Sequence, residues 1–159
     1  MDTRSSTWST GIEFGIPEID DQHRELFQLA ASFRGHGDEI RIMKSLAILC
    51  NYAKEHLAEE EELLVRIGYP DIEAHRQAHG EFRRMLRALL QDAQGMTLDR
   101  IADRVEALIN GWFYNHILHV DAQYVPMVIA YRAFQAQLRR GRASGQPAAP
   151  PKSSDPAAD

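Results

Sequence analysis

Two pairs of metal-binding side-chain types flank a turn in the middle of this chain. The first pair is His56 and Glu60, and the second is His75 and His79. Residues four apart in an α-helix lie on one face, one turn above the other, so each pair points in a single direction. The segment 68–71 between them reads Gly-Tyr-Pro-Asp and predicts a chain reversal. Two adjacent helices can therefore aim four potential metal ligands at one point.

Apolar residues recur with helical spacing in four long stretches of the sequence, which predicts four amphipathic helices. We expect them at about 18–33, 38–67, 71–93 and 97–125. Pro126 is expected to end the fourth helix, because proline cannot donate a backbone hydrogen bond. Short loops between long amphipathic helices favour an all-α, up-down-up-down antiparallel four-helix bundle.

The two ends of the chain differ from this central region, which spans 18–125. Residues 1–17 lack a clear period, and we interpret them as an extended N-terminal arm packed across the helical core. Residues 126–140 are interpreted as a short C-terminal extension, and we expect them to form one more short helix. From 141 to 159 the composition shifts to Ala, Pro, Ser and Gly, which is typical of a disordered tail.

Composition excludes several classes of function. The formal net charge is −5, and no basic stripe is present, so we expect no nucleic-acid partner. The single cysteine, Cys50, rules out an intrachain disulfide and a thiolate metal cluster. The sequence shows no apolar run long enough to span a bilayer and no signal peptide, so the expected location is cytoplasmic.

Seven side chains of metal-binding types fall on the inward stripes of the four predicted helices. Burying so many carboxylates and histidines is costly unless they are paired or bind cations. A set rich in imidazole suits iron, zinc, copper or nickel, and seven ligands exceed what one ion with an open position needs. The sequence therefore predicts two ions bridged by carboxylates. The candidate ligands are His23, His56, Glu60, His75, His79, His116 and Asp121.

One spacing in this set does not fit a regular helix. His116 and Asp121 are five residues apart, so their side chains would point roughly 140° apart around the helix axis. The patterns also differ from two other metal proteins. Neither histidine pair reads H-E-x-x-H, which disfavours a zinc protease, and the paired Glu-x-x-His motifs of ferritin-like di-iron proteins are not present in this arrangement.

The ordered set of motifs resembles the bacterial hemerythrins. The resemblance runs from the arm to the end of the fourth helix. It rests on Trp8, Gly11-Ile12, Ile19-Asp20, Gln22-His23, Leu26-Phe27, His56-x-x-x-Glu60, Gly68-Tyr69-Pro70, His75-x-x-x-His79 and Trp112-x-x-x-His116-Ile117-x-x-x-Asp121. It implies the same four-helix bundle, an architecture for which a hemerythrin relative is itself a standard example.

The resemblance also implies a role for each ligand. His75, His79 and His116 would hold one non-haem iron ion, and His23 and His56 would hold a second that keeps one open position. Glu60 and Asp121 would bridge the two ions together with an oxo or hydroxo group. Dioxygen would bind at the open position. By their location in the resembling motifs, Leu26, Leu57, Trp112, Phe113 and Ile117 would form the dry oxygen pocket. Phe113 stands where the family more often has leucine, and its ring is expected to narrow that pocket.

Three functions are compatible with such a centre. The favoured hypothesis is a non-enzymatic oxygen carrier, store or sensor, because the predicted pocket offers no further acid–base group for turnover. The alternatives are a di-iron enzyme that reduces peroxide or consumes oxygen, and an iron-buffering protein. A sensor would act through a separate protein, so an unidentified recipient or signalling partner is part of this hypothesis.

Overall fold

The computed structural model describes Trp8, residues 10–34 and residues 37–144. Four helical rods form an all-α bundle: α1 (Pro17–Ala31), α2 (Glu39–Ile67), α3 (Ile72–Asp92) and a composite fourth rod. Each rod packs against the next, and the fourth packs against both α3 and α1. This arrangement confirms the predicted four-helix bundle. Within the described ranges, no helix combines the length and apolar character needed to cross a membrane.

The rods begin and end where local chemistry predicts. Asp38 caps α2, since its side chain accepts a hydrogen bond from the backbone N–H of Arg41 at 2.8 Å. Gly68 ends α2 with φ of 71°, a left-handed conformation that glycine adopts at little cost. The backbone N–H of Tyr69 then bonds to Leu64 O at 2.9 Å, and the chain turns into α3.

The fourth rod is not the single regular helix that the sequence predicts. It comprises α4 (Leu98–Glu106), a π-helical segment (Ala107–Phe113) and α5 (Tyr114–His119). The wide π turn moves the inward face by one residue, because each π turn holds more residues than an α turn. Ile109 and Phe113 are therefore fully buried, whereas Trp112 lies half-buried at the edge of the core.

The fourth rod also ends earlier than predicted. The expected end near Val125 is wrong, because the α-helix stops at His119 and a 3₁₀ turn spans Asp121–Gln123. Val120 has φ −114° and ψ −58°, so the chain departs from regular helix there. Pro126 lies near the start of the next helix, where its missing N–H costs nothing.

The C-terminal helix is longer than predicted. Helix α6 spans Val125–Ser144, so the expected short helix at 126–140 and the expected tail start at 141 are both wrong at their boundaries. Val128 packs into the bundle, and Arg132 donates two 2.9 Å hydrogen bonds to Glu18 on α1. The remainder of the predicted tail, 145–159, lies outside the described residues.

The N-terminal arm packs on the bundle, as far as it is described; residues 1–7 and 9 lie outside that range. A 3₁₀ turn spans Thr10–Ile12, so this part is not fully extended. Buried Asp20 on α1 holds the arm by accepting hydrogen bonds from the backbone N–H groups of Phe14 (2.8 Å) and Ile16 (3.0 Å). These bonds place the Trp8 and Phe14 rings beside α1.

Two apolar clusters fill the interior. The larger one lies between the rods and includes Leu26, Leu57 and Phe113, and the smaller one includes Leu64, Tyr69 and Tyr124. Buried histidines make ring contacts with both clusters, since Phe113 meets His23 and Tyr124 meets His75. A polar layer therefore crosses an otherwise apolar core.

Candidate metal centre

All seven predicted ligands are buried and converge in this polar layer. Each is at most 4% exposed, and three of them, His23, His79 and Asp121, are fully buried. α1 supplies His23, α2 supplies His56 and Glu60, and α3 supplies His75 and His79. α5 and the 3₁₀ turn after it supply His116 and Asp121.

The seven residues form two groups that share a carboxylate. The three-histidine group consists of His75, His79, His116, Glu60 and Asp121, and the two-histidine group consists of His23, His56 and Glu60. Within each group, one potential ligand atom of every residue lies within 4.8 Å of all the others. Glu60 belongs to both groups, so it can bridge two cations.

Asp121 also extends towards both groups. Its Oδ1 lies 2.9 Å from His116 Nε2 and 3.5 Å from His75 Nε2, while its Oδ2 lies 3.6 Å from His23 Nε2. The helical break at Val120 makes this position possible, because a regular helix would turn Asp121 away from His116. The five-residue spacing between His116 and Asp121 therefore fits the site because a 3₁₀ turn follows the helix.

The side-chain chemistry of this cluster fits a metal better than a hydrogen-bonded core. Eight of its buried nitrogen and oxygen atoms have no hydrogen-bond partner among the described residues, including both oxygens of Asp121. His79 Nε2 lies 3.1 Å from Glu60 Oε2, yet the angles between the two groups do not suit a hydrogen bond. Two ligand atoms that each lie about 2.1 Å from one ion, with a right angle between the two bonds, are about 3 Å apart. The separation of His79 Nε2 and Glu60 Oε2 has this value.

Burial keeps the imidazoles of His23, His56 and His116 in the neutral form that binds metals. It lowers the pKa of His23 to about 3 and the pKa values of His56 and His116 to about 4. A neutral imidazole offers a free lone pair, and a protonated one does not. At pH 7 these three side chains are therefore ready to coordinate a cation.

The surroundings shift the pKa values of the two carboxylates, Glu60 and Asp121, in opposite directions. Burial disfavours the charge of Glu60, but contacts with His75 and His79 hold its pKa well below the ordinary value. Burial raises the pKa of Asp121, and the nearby charge of Glu60 raises it further. A bound cation would neutralise both carboxylates, which is the usual reason for keeping such groups in a core.

The residues predicted to form an oxygen pocket separate onto two sides of the centre. Phe113 lies edge-on to His23 and His56, with ring centroids 5.4 and 5.7 Å away, so it faces the two-histidine group. Trp112 instead stacks on His116 at 4.7 Å and on Phe82 at 4.7 Å, against the three-histidine group. Leu26, Leu57 and Ile117 are fully buried in the same large apolar cluster as Phe113.

Two aromatic residues of the arm complete the enclosure of His23. Ring centroids of Trp8 and Phe14 lie 6.3 and 5.8 Å from the His23 imidazole. The sequence predicts an arm packed across the core, but these rings were not among the predicted site residues. Their alternation with Ile12 and Ile16 was the available signal, since it marked one apolar face of the arm.

Tyr124 is a site residue that the sequence analysis missed. Its side chain is fully buried, and its hydroxyl donates a short hydrogen bond to Glu60 Oε1. Burial, followed by the charges of Glu60 and Asp121, raises the pKa of this phenol well above its usual value, so it holds its proton. Tyr124 lies outside the set of residues predicted to form the oxygen pocket, and its proton is engaged by the carboxylate of Glu60.

Tyr124→Phe is expected to destabilise the fold by about 1–3 kcal/mol, because a buried carboxylate oxygen loses its donor. Urea unfolding of the metal-free protein measures this loss. The matched control is Tyr131→Phe on α6, where the ring is only half-buried. Equal stability of the two variants would show that the bond to Glu60 contributes nothing.

Comparison with known proteins identifies the family. The Hemerythrin HHE cation binding domain matches residues 15–128. The chain belongs to the hemerythrin family. A bacteriohemerythrin from Clostridium acetobutylicum is 28% identical over 74% of this chain and 97% of its own length. One from Pseudomonas paraeruginosa is 30% identical over 76% of this chain and 80% of its own. A solved wild-type hemerythrin structure is 25% identical, with a TM-score of 0.66 over 77% of this chain and 96% of that one.

Membership of this family agrees with the buried cluster. The hemerythrin domain match covers every one of the seven candidate ligands and ends at residue 128. The protein is thus a cation-binding member of the family with a buried His/Glu/Asp metal site. Most of α6 lies beyond the matched domain.

Proposed function

We propose that this protein binds dioxygen reversibly at a pair of non-haem iron ions and does not turn it over as an enzyme. The two residue groups that share Glu60, with Asp121 extending towards both, are the observation that carries this proposal. His75, His79 and His116 would hold one ion, and His23 and His56 would hold the other. When bound, the iron pair supplies the two electrons that dioxygen binding requires.

The difference between the two groups supports an open position at one ion. The three-histidine group contributes one more imidazole than the two-histidine group, while both have access to the same two carboxylates. An ion at His23 and His56 would therefore have fewer protein ligands. A small ligand such as dioxygen would fit at that ion, in the space bordered by Phe113.

The surroundings of His23 and His56 support reversible binding over turnover. Apart from their contact with each other, His23 lies against the rings of Trp8, Phe14 and Phe113, and His56 lies against Phe113. None of these three aromatic side chains can donate a proton to bound oxygen as an acid. An apolar surround excludes water, and water promotes irreversible oxidation of the centre. The buried Tyr124 hydroxyl is held by Glu60 on another side of the cluster.

The experiment that tests this function is an absorption spectrum of the reduced, iron-loaded protein through repeated oxygenation and deoxygenation. We expect a visible band that appears with dioxygen, disappears under vacuum, and returns with the same amplitude in the next cycle. Dioxygen uptake should be one molecule per two irons. Permanent conversion to the ferric form in the first cycle would contradict the proposal, and steady oxygen or peroxide consumption with added reductant would favour an enzyme.

A further inference from the structure

Two candidate ligands carry chemically different partners on their outward ring nitrogens. Nδ1 of His79 lies 2.9 Å from the carboxylate oxygen Oε1 of Glu61. Nδ1 of His56 lies 2.9 Å from the amide oxygen Oε1 of Gln22, whose Nε2 donates to Glu59. The three-histidine group therefore has a charged carboxylate behind one imidazole, and the two-histidine group has a neutral amide at the equivalent place.

The contact with Glu61 determines which nitrogen of His79 carries the proton. An ionised carboxylate only accepts hydrogen bonds, so Nδ1 of His79 must be the donor. Its Nε2 then presents a lone pair to the interior, where it lies 3.1 Å from Glu60 Oε2 without forming a hydrogen bond. The same contact orients the ring, because His79 is fully buried and its outward nitrogen has a fixed acceptor.

Glu61 is itself held in place from the surface side. Arg83 donates a 2.8 Å hydrogen bond to its Oε1, and Arg76 Nε lies 3.7 Å from its Oε2. The Glu61 side chain is 16% exposed, while both arginines are more open to solvent. Two cations beside a partly buried carboxylate keep it ionised and restrict its rotamers. Glu61 is therefore a preorganised anion directly behind a metal ligand.

We propose that Glu61 is a positioning residue that fixes the Nδ1–H tautomer of His79 and makes its Nε2 a stronger metal donor than the amide-backed Nε2 of His56. This inference rests on the proposed metal site. A carboxylate behind a coordinating histidine raises the basicity of that ligand, and its loss typically lowers metal affinity about 10–100-fold. The three-histidine group is thus the tighter of the two groups, and it fills first.

Two substitutions separate the charge of Glu61 from its hydrogen bond. Glu61→Gln keeps an acceptor of the same shape but removes the charge, and Glu61→Leu removes both. The matched control is Glu62→Gln, which changes the neighbouring exposed glutamate by the same atoms. The isosteric Glu61→Gln keeps the test valid if Glu61→Leu fails to fold.

The first measurement is ¹⁵N NMR of the histidine rings in the metal-free protein. We expect the Nδ1–H tautomer of His79 in the wild type and a mixture of tautomers in Glu61→Leu. The second is the affinity for the first cobalt(II) ion, measured by competition with a chelator. We expect it to fall about 10–100-fold in both Glu61 variants and to stay unchanged in Glu62→Gln.

The proposal is overturned if Glu61→Leu retains the wild-type tautomer, or if neither Glu61 variant changes the cobalt affinity by more than the control does. Neither measurement uses dioxygen. Failure of reversible oxygen binding in the iron-loaded protein would reject the proposed function and leave these two results as they stand.

Discussion

Replacing Asp121 by asparagine is expected to stabilise the metal-free protein and to destabilise the metal-loaded protein. In the metal-free form, a fully buried carboxylate without hydrogen-bond partners becomes a neutral amide of the same shape. The gain should be about 1–3 kcal/mol at pH 7. In the loaded form, the variant loses the carboxylate that extends towards both residue groups. A metal concentration a thousand times its Kd stabilises the wild type by about 4 kcal/mol. The same metal concentration should stabilise the variant far less.

The pH dependence of this stability gain has a definite sign. Folding raises the pKa of Asp121 above its ordinary value of 3.8, so the folded state disfavours the ionised form. The wild type therefore loses stability relative to the variant as the pH rises from about 4. The gain should be present at pH 7 and should disappear as the pH falls towards 3.8.

Chemical unfolding with and without ferrous iron, under anaerobic conditions, measures both effects. Asp71→Asn is the matched control, because Asp71 is exposed before α3 and its side chain makes no capping hydrogen bond. A metal-free Asp121→Asn protein that is less stable than the wild type would mean that this carboxylate stabilises the fold by itself. A structural role would then replace the role of metal ligand.

Phe113→Ala is expected to make oxygen binding far less reversible. The ring is fully buried and faces both His23 and His56, so its removal opens a cavity beside the position where we propose that dioxygen binds. The cavity should destabilise the fold by about 3–5 kcal/mol. Water entering it should accelerate the loss of the oxygenated absorption band at least about tenfold, equivalent to a barrier about 1.4 kcal/mol lower.

Phe33→Ala separates the effect on stability from the effect on the site. Phe33 is buried in the same large apolar cluster but makes no ring contact with a histidine among the described residues. We expect it to reduce the free energy of unfolding by a similar amount while leaving the lifetime of the oxygenated band unchanged. If both variants shorten that lifetime equally, general loosening of the core is responsible, and Phe113 has no specific role.

The bundle was predictable because its physical determinants are local. The buried stripe of α1, from Ile19 through His23 to Ala30, follows the helical period, and so does the stripe of α3. The turn between α2 and α3 depends on Gly68, whose left-handed conformation is a sequence-local property. Pairs four residues apart also need no tertiary information, which explains why His56 with Glu60 and His75 with His79 could be assigned from spacing.

The irregular fourth rod was not predictable in the same way. Nothing in the 3.6-residue period indicates that Ala107–Phe113 adopts a π-helix. Because of this segment, Phe113 is buried in the interior where the regular period predicts Trp112. The break at Val120 has no proline or glycine to mark it. The π-helical segment brings Phe113 to the site, and the break at Val120 brings Asp121 there. Neither follows the regular helical period, so both depend on packing and on the buried polar cluster. Tyr124 was missed for this reason, since its inward position depends on the 3₁₀ turn.

The seven candidate ligands imply a fixed number of bound ions, and an anaerobic titration measures that number most directly. Metal-free protein is titrated with ferrous iron while bound metal is measured, with Asp121→Asn titrated alongside. We expect a break at two irons per chain for the wild type and at fewer irons for the variant. A break at one iron per chain, or the same break in both proteins, would contradict the assignment of His23, His56, Glu60, His75, His79, His116 and Asp121 to a two-ion centre.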